Sequence, residues 1–391
     1  MNMRILLWMA AAIAISLAPV RVTAQPFQSS APHALLMDAE SRTVLYEKAS
    51  DDLVVPASTV KIMTAELVFR DLKAGRIKLD DTFVVSEKAW RLGGSGGSSM
   101  FAQLNARIRV EDLLRGLIVQ SGNDAAVVLA ESLGGAEETF AAMMTQRARE
   151  LGLQKSTFKN AWGGPHPEQR VTAREMAQLA LHIVKTYPEY YKYFGEKEFT
   201  WSKIKQLNRN PLLNMDIGAD GLKTGNIDES GYGLVGSAVD KDSGQRLIAV
   251  IYGARTAKDR AEEARKILNW GMRGFETKPL FAVGDAIGAA QVYGGEKSDV
   301  ALTTTQPIKL LLPRGSSDRL TAKIVYQGPL VAPVEPGQDV ARLKIWRGPV
   351  LALDTPLTTA EAVALGPLHR RAYDAGVEYG TMLFRKYVLK R

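Results

Sequence analysis

The residues with the clearest chemical potential are Ser58 and Lys61, which stand three positions apart in the chain. On a helix this spacing puts a hydroxyl and an amine on one face, one turn from each other. A serine hydroxyl is a weak nucleophile until a base takes its proton, and a lysine becomes such a base when burial or a nearby cation lowers its pKa. The pair therefore indicates covalent catalysis, although an N-cap serine before a surface lysine gives the same pattern.

The stretch after Lys61 predicts a helix that is apolar around most of its circumference. Its apolar residues are Ile62, Met63, Ala65, Leu67, Val68, Phe69 and Leu72. Such a helix is expected to lie buried inside a domain. A lysine on a buried helix is costly unless it has a partner or a task, so this context favours a functional Lys61.

Two further short motifs follow along the chain. Ser121 and Asn123 flank a glycine in a predicted loop between helices, and Lys223 begins a Lys-Thr-Gly triplet on a predicted strand. Each motif alone is weak, because the first could simply cap a helix and the second could end a strand. Their order and contexts together are specific, since one motif opens a buried helix, one lies in a loop and one lies on a strand.

Composition excludes several kinds of site. The chain has no cysteine and only four histidines, which rules out a disulfide scaffold, thiol catalysis and a cysteine-based zinc site. A histidine-based metal site or a Ser-His-Asp triad would depend on those scattered histidines, so the sequence predicts no metal and no cofactor. Of the net charge of +8, +2 lies in residues 1–24 and +4 in residues 368–391. The rest of the chain is only about +2, which argues against a nucleic-acid-binding face.

Residues 1–24 are predicted to be a secretory signal peptide. Arg4 forms a basic start, residues 5–17 form an apolar core, and small residues ending at Ala24 form a cleavage site. An uncleaved anchor helix is the alternative, although the apolar run is short for a membrane span.

Residues 25–278 are predicted to form an α/β domain that carries the three motifs. Strands are expected on both sides of a polar turn at 38–42, and again between 219 and 252. A long helical region separates the two groups of strands, and a helix over 258–270 could cover one sheet face. The predicted fold is an antiparallel sheet with a helical insertion.

The remainder of the chain is predicted to contain a small domain and a terminal helix. Residues 279–357 alternate short β-like segments with Gly and Pro, which is typical of an all-β sandwich. Residues 358–391 carry an amphipathic pattern with Arg370, Arg371, Arg385, Lys386, Lys390 and Arg391. This segment is expected to bind an anionic membrane surface, and docking onto its own protein is the alternative.

With these motifs the chain resembles the penicillin-binding proteins and serine β-lactamases. It is most similar to the low-molecular-mass, serine-type D-alanyl-D-alanine carboxypeptidases of bacterial cell-wall metabolism. The resemblance covers almost the whole mature chain, including 37–46, 97–101, 121–125, 220–225 and 253–260. It implies a β-lactamase/transpeptidase-like fold, a peptidoglycan stem peptide ending in D-Ala-D-Ala as substrate, and β-lactams as covalent inhibitors.

The resemblance also implies the reaction roles. Ser58 would attack the carbonyl of the penultimate D-Ala, with Lys61 as general base. Ser121 would relay a proton to the leaving amine, and Asn123 would orient Lys61 and the substrate amide. The backbone N–H groups of Ser58 and Asn226 would form the oxyanion hole. Many relatives have histidine at the position of Asn226, which puts side-chain contacts there in doubt.

The resemblance implies that a second group of residues recognises the substrate. Lys223, Thr224 and Arg260 would hold the terminal carboxylate, and Gly225 completes their motif. Arg209 matches a family position near the site. The resemblance supports a structural role for Arg209 as well as a role in binding.

Other functions are weighed against this one. A class A β-lactamase needs a glutamate past the second motif, but residues 155–161 contain no acid. Lys61 is therefore expected to serve in deacylation as well as acylation. A D,D-endopeptidase activity is not excluded. A penicillin sensor would need a membrane-spanning signalling domain, and a wall scaffold would not need the motifs intact.

The expected location follows from the signal peptide and the substrate. They indicate the bacterial envelope and, in a Gram-negative cell, the periplasmic side of the inner membrane with peripheral attachment. Self-association into a homodimer is left open.

Overall fold

The computed structural model describes residues 27–387 except 229 and 317–318. The predicted signal peptide and the last basic residues, 390 and 391, lie outside this range. Within the described part of the chain, no helix is both long enough and apolar enough to cross a membrane.

The α-helices are α1 (Lys61–Lys73), α2 (Glu87–Gly93), α3 (Val110–Ile118), α4 (Asn123–Gly134), α5 (Glu137–Glu150), α6 (Ala173–Thr186), α7 (Pro188–Tyr191), α8 (Ala257–Gly274) and α9 (Leu368–Tyr387). The strands of the motif-bearing domain are β1 (His33–Asp38), β2 (Val44–Lys48), β3 (Thr82–Val84), β4 (Arg107–Arg109), β5 (Glu198–Trp201), β6 (Ile204–Leu207), β7 (Ala219–Ile227), β8 (Gly231–Val239) and β9 (Arg246–Ala254). The later strands are β10 (Phe275–Phe281), β11 (Gly288–Tyr293), β12 (Asp299–Thr303), β13 (Ile308–Pro313), β14 (Leu320–Tyr326), β15 (Leu330–Val331), β16 (Asp339–Arg347) and β17 (Val350–Thr359).

The motif-bearing domain is built on a five-stranded antiparallel sheet in the order β2-β1-β9-β8-β7. Side chains of a strand alternate between the two faces of a sheet. On β9, Ile248 and Val250 join the larger core with the helical insertion, whereas Leu247 and Ala249 join a smaller core with α8. The sheet is therefore buried on both faces, and β2 and β7 are its two edge strands.

The nucleophile candidate lies at the start of α1. Ser58 is part of a single 3₁₀ turn, Ala57–Val60, and the α-helix begins only at Lys61. Nearly every residue of α1 is buried, as its apolar pattern predicts. The hydroxyl of Thr59 donates to the carbonyl of Pro56 at 2.7 Å and lies 2.8 Å from the hydroxyl of Tyr252 on β9. The contact with Tyr252 attaches the 3₁₀ turn to the central sheet.

The second domain begins one strand earlier than the sequence suggests. Strand β10 follows α8 directly and pairs with β13, so the expected boundary between 278 and 279 falls inside a strand. A six-stranded sheet, in the order β14-β16-β17-β12-β11-β15, shares a second hydrophobic core with β13.

The second domain also extends further than expected. Strand β17 runs to Thr359, and isolated bridges join Val363 to Val334 and Leu365 to Gly295. Pro356 makes this stretch look like a turn in sequence. It lies where β17 pairs with β16 alone, so its missing N–H removes no bond to a second neighbour.

Helix α9 is the C-terminal amphipathic segment. Its first turns are attached to the all-β domain, because Arg370 donates to the carbonyl of Glu296 at 2.8 Å and Asp374 accepts from the N–H of Gly294 at 2.9 Å. The side chains of Leu368 and Tyr373 are nevertheless 80% and 72% exposed. The helix therefore presents apolar groups to solvent.

Candidate active site

Ser58 and Lys61 are within hydrogen-bonding distance. The Nζ atom of Lys61 lies 3.2 Å from Ser58 Oγ, 2.8 Å from Asn123 Oδ1 and 2.5 Å from the carbonyl oxygen of Trp162. A neutral amine has two hydrogens and one lone pair. When the amide and carbonyl oxygens accept the two hydrogens, the lone pair faces the Ser58 hydroxyl. This is the arrangement that a general base needs.

The surroundings of Lys61 favour the neutral form of its amine. The side chain has no exposed surface. Burial lowers the pKa of Lys61 well below its usual value, and the charges of Lys223 and Arg209 lower it further, while Asp124 acts in the opposite direction. An uncharged lysine can accept a proton from a serine hydroxyl, whereas an ammonium group cannot.

The second motif lies in a strained turn between α3 and α4. Ser121 is buried with φ of 66°, in the left-handed region that few residues other than glycine adopt. Its hydroxyl donates to and accepts from no residue that the structure describes, so it is free to contact a substrate. Asn123 opens α4, and its N–H donates to the carbonyl of Ser98 at 2.8 Å.

Asp124 is a functional neighbour that the motif analysis missed. This buried carboxylate accepts from the hydroxyl of Ser99 at 2.7 Å, from the N–H of Met100 at 2.9 Å and from the N–H of Ala102 at 3.0 Å. It therefore holds the loop after α2 against the site. Its position next to Asn123 was the only available sequence signal.

The third motif brings strand β7 against the nucleophile turn. A Cβ atom on Gly225 would lie 3.0 Å from both the backbone N of Ser58 and the carbonyl oxygen of Pro56. Only glycine leaves room for this close approach. Thr224 is buried beside it, whereas the side chain of Asn226 is exposed.

Three cations lie around the open side of the site. Lys223 is buried, and burial followed by the charges of Arg209 and Arg260 lowers its pKa to about 7. Arg260 is 8% exposed, its Nε has no hydrogen-bond partner, and its guanidinium group lies 5.7 Å from the centre of the Tyr232 ring. Arg209 has an exposed side chain without an ion-pair partner in the described chain. A cluster of unpaired cations is suited to an anionic ligand.

The structure brings Ser58, Asn123 and Gly225 next to Lys61 and its turn, and the charges of Lys223, Arg209 and Arg260 act in the same region. The remaining predicted residues, Ser121, Thr224 and Asn226, lie one or two positions from these residues in the chain. The carbonyl of Trp162 was not predicted, because a backbone acceptor leaves no mark on residue type.

The comparisons with known proteins agree with this geometry. The D-alanyl-D-alanine carboxypeptidase family, Peptidase S11, matches residues 20–256, and the penicillin-binding protein 5 C-terminal domain matches residues 275–365. The chain belongs to the D-alanyl-D-alanine carboxypeptidase family.

Relatives of this family align over most of the chain. The chain is 37% identical to D-alanyl-D-alanine carboxypeptidase DacD of Salmonella typhimurium, with 93% of each chain covered. It is 39% identical to DacC of Escherichia coli, over 87% of this chain and 86% of the relative. Among solved structures, penicillin-binding protein 5 from Haemophilus influenzae superposes with a TM-score of 0.79 at 36% identity, covering 87% of this chain and 99% of that one.

Membership of the carboxypeptidase family confirms three of the predictions. The chain is a serine-type D-Ala-D-Ala carboxypeptidase and a hydrolase. Its fold is the predicted α/β domain followed by an all-β domain. One related protein, penicillin-binding protein D2 of Listeria monocytogenes, has been solved with ampicillin bound; it has a TM-score of 0.57 at 30% identity and covers 63% of this chain and 99% of its own.

Proposed function

We propose that the chain removes the terminal D-alanine from peptidoglycan pentapeptide stems through an acyl-enzyme on Ser58. The observation that carries this proposal is the buried Lys61 amine, 3.2 Å from Ser58 Oγ and held by two acceptors. That arrangement supplies an activated nucleophile without histidine or metal.

Acylation follows from the positions of these groups. Lys61 takes the proton of Ser58 while Oγ attacks the carbonyl carbon of the penultimate D-Ala. The negative oxygen of the tetrahedral intermediate is stabilised by the N–H of Ser58 and that of Asn226, since β7 passes beside the nucleophile turn. The peptide C–N bond then breaks as the Lys61 ammonium returns its proton through the Ser121 hydroxyl to the leaving amine of D-alanine, which restores a neutral Lys61.

Deacylation uses the same base. Water attacks the ester carbonyl, gives its proton to Lys61, and the bond to Ser58 Oγ breaks with return of a proton to that oxygen. Asp124 is the acidic group whose charge reaches Lys61. Both of its carboxylate oxygens already accept hydrogen bonds from the loop after α2, so Lys61 is left as the base. A penicillin acyl group would leave slowly by this route, which supports a role for β-lactams as covalent inhibitors.

The free carboxylate of the terminal D-Ala is assigned to Lys223, Thr224 and Arg260. Lys223 and Arg260 are both buried and have no acidic partner among the described residues. A carboxylate entering the site would complete their interactions, which explains why an exopeptidase selects a free C-terminus. Arg209 adds positive charge at the edge.

Two measurements test this function together. The purified protein should release D-alanine from a peptide ending in D-Ala-D-Ala, and mass mapping after fluorescent penicillin treatment should find the adduct on Ser58. No release of D-alanine, or an adduct on another serine, would overturn the proposal.

The pH profile of D-alanine release should fall on both its acid and its alkaline side. The acid side depends on a lysine that must be neutral, and the alkaline side on a lysine that must be charged. Lys61 must be neutral, so kcat/KM falls as pH drops through its lowered pKa. Lys223 must be charged to bind a carboxylate, and its pKa is about 7 before substrate binds. The KM should therefore rise above about pH 7, or higher as the bound carboxylate stabilises the ammonium group.

The matched variant for this profile is Lys223→Arg. A guanidinium group stays charged throughout, so its alkaline limb should move to higher pH while the acid limb stays in place. An alkaline limb that is identical in both proteins would contradict the assignment of Lys223.

In a Gram-negative cell we place this chain on the periplasmic face of the inner membrane after removal of residues 1–24, because these residues are predicted to be a signal peptide and the proposed substrate is peptidoglycan. Attachment is assigned to α9, whose exposed Leu368, Tyr373 and Tyr379 stand among basic residues. The homodimer and a minor D,D-endopeptidase activity stay open.

Deletion of residues 370–391 should move the protein from the membrane pellet to the soluble fraction. High salt should release part of the full-length protein, because exposed charges are screened. If the truncated protein sedimented with membranes as before, α9 would not be the anchor.

A further inference from the structure

The loop over residues 160–164 contacts the nucleophile helix through two consecutive carbonyl groups. The carbonyl of Trp162 accepts from Lys61 at 2.5 Å, and that of Ala161 accepts from the Thr64 hydroxyl at 2.6 Å. Lys61 and Thr64 are three positions apart on α1, so they share one face. The helix thus holds the loop at two points one turn apart.

Thr64 has no part in the chemistry described above. Its side chain is fully buried, and Ala161 is the acceptor of its hydroxyl. A buried hydroxyl costs free energy unless it is hydrogen-bonded, and valine would fill the same space without that need. The presence of a threonine one turn from Lys61 therefore calls for a reason.

The other side of the loop is held by two amide side chains. Asn160 Oδ1 accepts from the N–H of Gly163 at 2.7 Å and of Gly164 at 2.9 Å. Gln169 accepts from the N–H of Asn160 at 3.1 Å and donates to the carbonyl of Gly164 at 2.9 Å. These bonds close the loop into one compact turn.

The loop also abuts the nucleophile turn. Gly163 has φ of +93°, and a Cβ atom there would lie 2.1 Å from the carbonyl oxygen of Ala57. The residue is fixed between Asn160 and the turn that carries Ser58. Any shift of the loop therefore moves the Trp162 carbonyl relative to Lys61.

We propose that Thr64, supported by Asn160 and Gln169, is a positioning residue for the general base. Through Ala161 it keeps the Trp162 carbonyl on Lys61, so that one amine hydrogen is held there and the lone pair faces Ser58. It contacts neither the substrate nor the reacting atoms. The inference rests on the proposed role of Lys61.

The first test is Thr64→Val, which replaces the hydroxyl with a methyl group. The second-order rate of acylation by fluorescent penicillin should fall about tenfold at its plateau, because the amine is less well oriented. The acid limb of the pH profile of this acylation rate should move to lower pH. A carbonyl acceptor favours the charged form of an amine, so loss of the Trp162 carbonyl lowers the pKa of Lys61. Thr64→Ser keeps the hydroxyl and should stay within about twofold of wild type in both respects.

Thr145→Val is the matched control. Thr145 bonds the same segment by donating to the carbonyl of Phe158 at 3.0 Å and accepting its N–H at 2.9 Å, away from Trp162. It should leave the acid limb unchanged. If Thr145→Val and Thr64→Val moved the limb equally, or if Thr64→Val did not move it, the proposal would be overturned.

A second variant and one reference measurement keep the test decisive. If Thr64→Val fails to fold, Gln169→Ala takes its place. Gln169→Ala should move the acid limb to lower pH, and an unshifted limb in this variant counts against the proposal. Wild-type protein that is not acylated on Ser58 would instead overturn the proposed function itself. If the wild-type protein is acylated on Ser58 but its acid limb is the same as that of Thr64→Val, this inference alone would be overturned.

Discussion

Replacing Lys61 with methionine is expected to slow both D-alanine release and penicillin acylation by about 10³- to 10⁴-fold. Methionine fills a similar buried volume but cannot take the proton of Ser58. No histidine or carboxylate is hydrogen-bonded to Ser58 Oγ in the described chain, so nothing replaces the base. The measurement is the burst of fluorescent penicillin labelling together with steady-state D-alanine release.

The stability of this variant should change little. Removing a buried amine relieves its unfavourable burial, whereas Asn123 Oδ1 and the Trp162 carbonyl lose their donor. These effects act in opposite directions, so the thermal midpoint should stay within a few degrees, equivalent to about 1 kcal/mol.

The matched control is Lys73→Met at the exposed far end of α1, where the lysine donates to the carbonyl of Thr186. It should keep the wild-type rate. A Lys61→Met protein that retained a tenth of the wild-type acylation rate would exclude Lys61 as the base.

Replacing Arg260 with glutamine is expected to lower kcat/KM for a D-Ala-D-Ala peptide by about 10²- to 10³-fold. Arg260 is a buried cation whose Nε lacks a partner, and the substrate carboxylate is the anion that would pair with it. Loss of one partner of a buried charged pair costs several kcal/mol, and each 1.4 kcal/mol is about tenfold in rate or affinity.

The substrate itself supplies the sharpest control for Arg260. A peptide ending in D-alaninamide has no terminal carboxylate, so wild type should process it poorly and Arg260→Gln should make it little worse. Arg255→Gln, at an exposed position two residues before α8 begins, should leave the rates with both substrates unaffected. An equal loss with acid and amide substrates would mean that Arg260 supports the fold and does not read the carboxylate.

Much of the fold could be predicted because it depends on local patterns. Apolar periodicity in the sequence predicts helices over 111–119, 124–132, 137–151 and 172–185, and the ends of α3 to α6 agree with these ranges within two residues. Thr172 and Glu175 form a capping pattern that predicts the start of α6, where the Thr172 hydroxyl accepts the N–H of Glu175. The strands β8 and β9 were equally clear because their central residues are apolar on both faces. The domain boundary was less accurate, because β10 and β17 contain prolines and polar residues that hide their alternation.

The sequence by itself determined the identity of the chemical groups. Ser58 and Lys61 are three residues apart, so their proximity is a local property of any helical turn. The apolar residues after Lys61 made its burial predictable, and burial is the largest cause of its lowered pKa. The family also followed from the sequence, since it depends on motif order.

Only the tertiary structure decided how that base is oriented and charged. The partners of the Lys61 amine are 62 and 101 positions further along the chain. One of them is a backbone carbonyl, which any residue at 162 could supply, so no residue type announces it. The charges of Lys223 and Arg209 act on Lys61 because folding brings strand β7 and the segment after β6 to the nucleophile turn. Contacts of this range depend on the packing of whole elements, which periodicity and spacing do not encode.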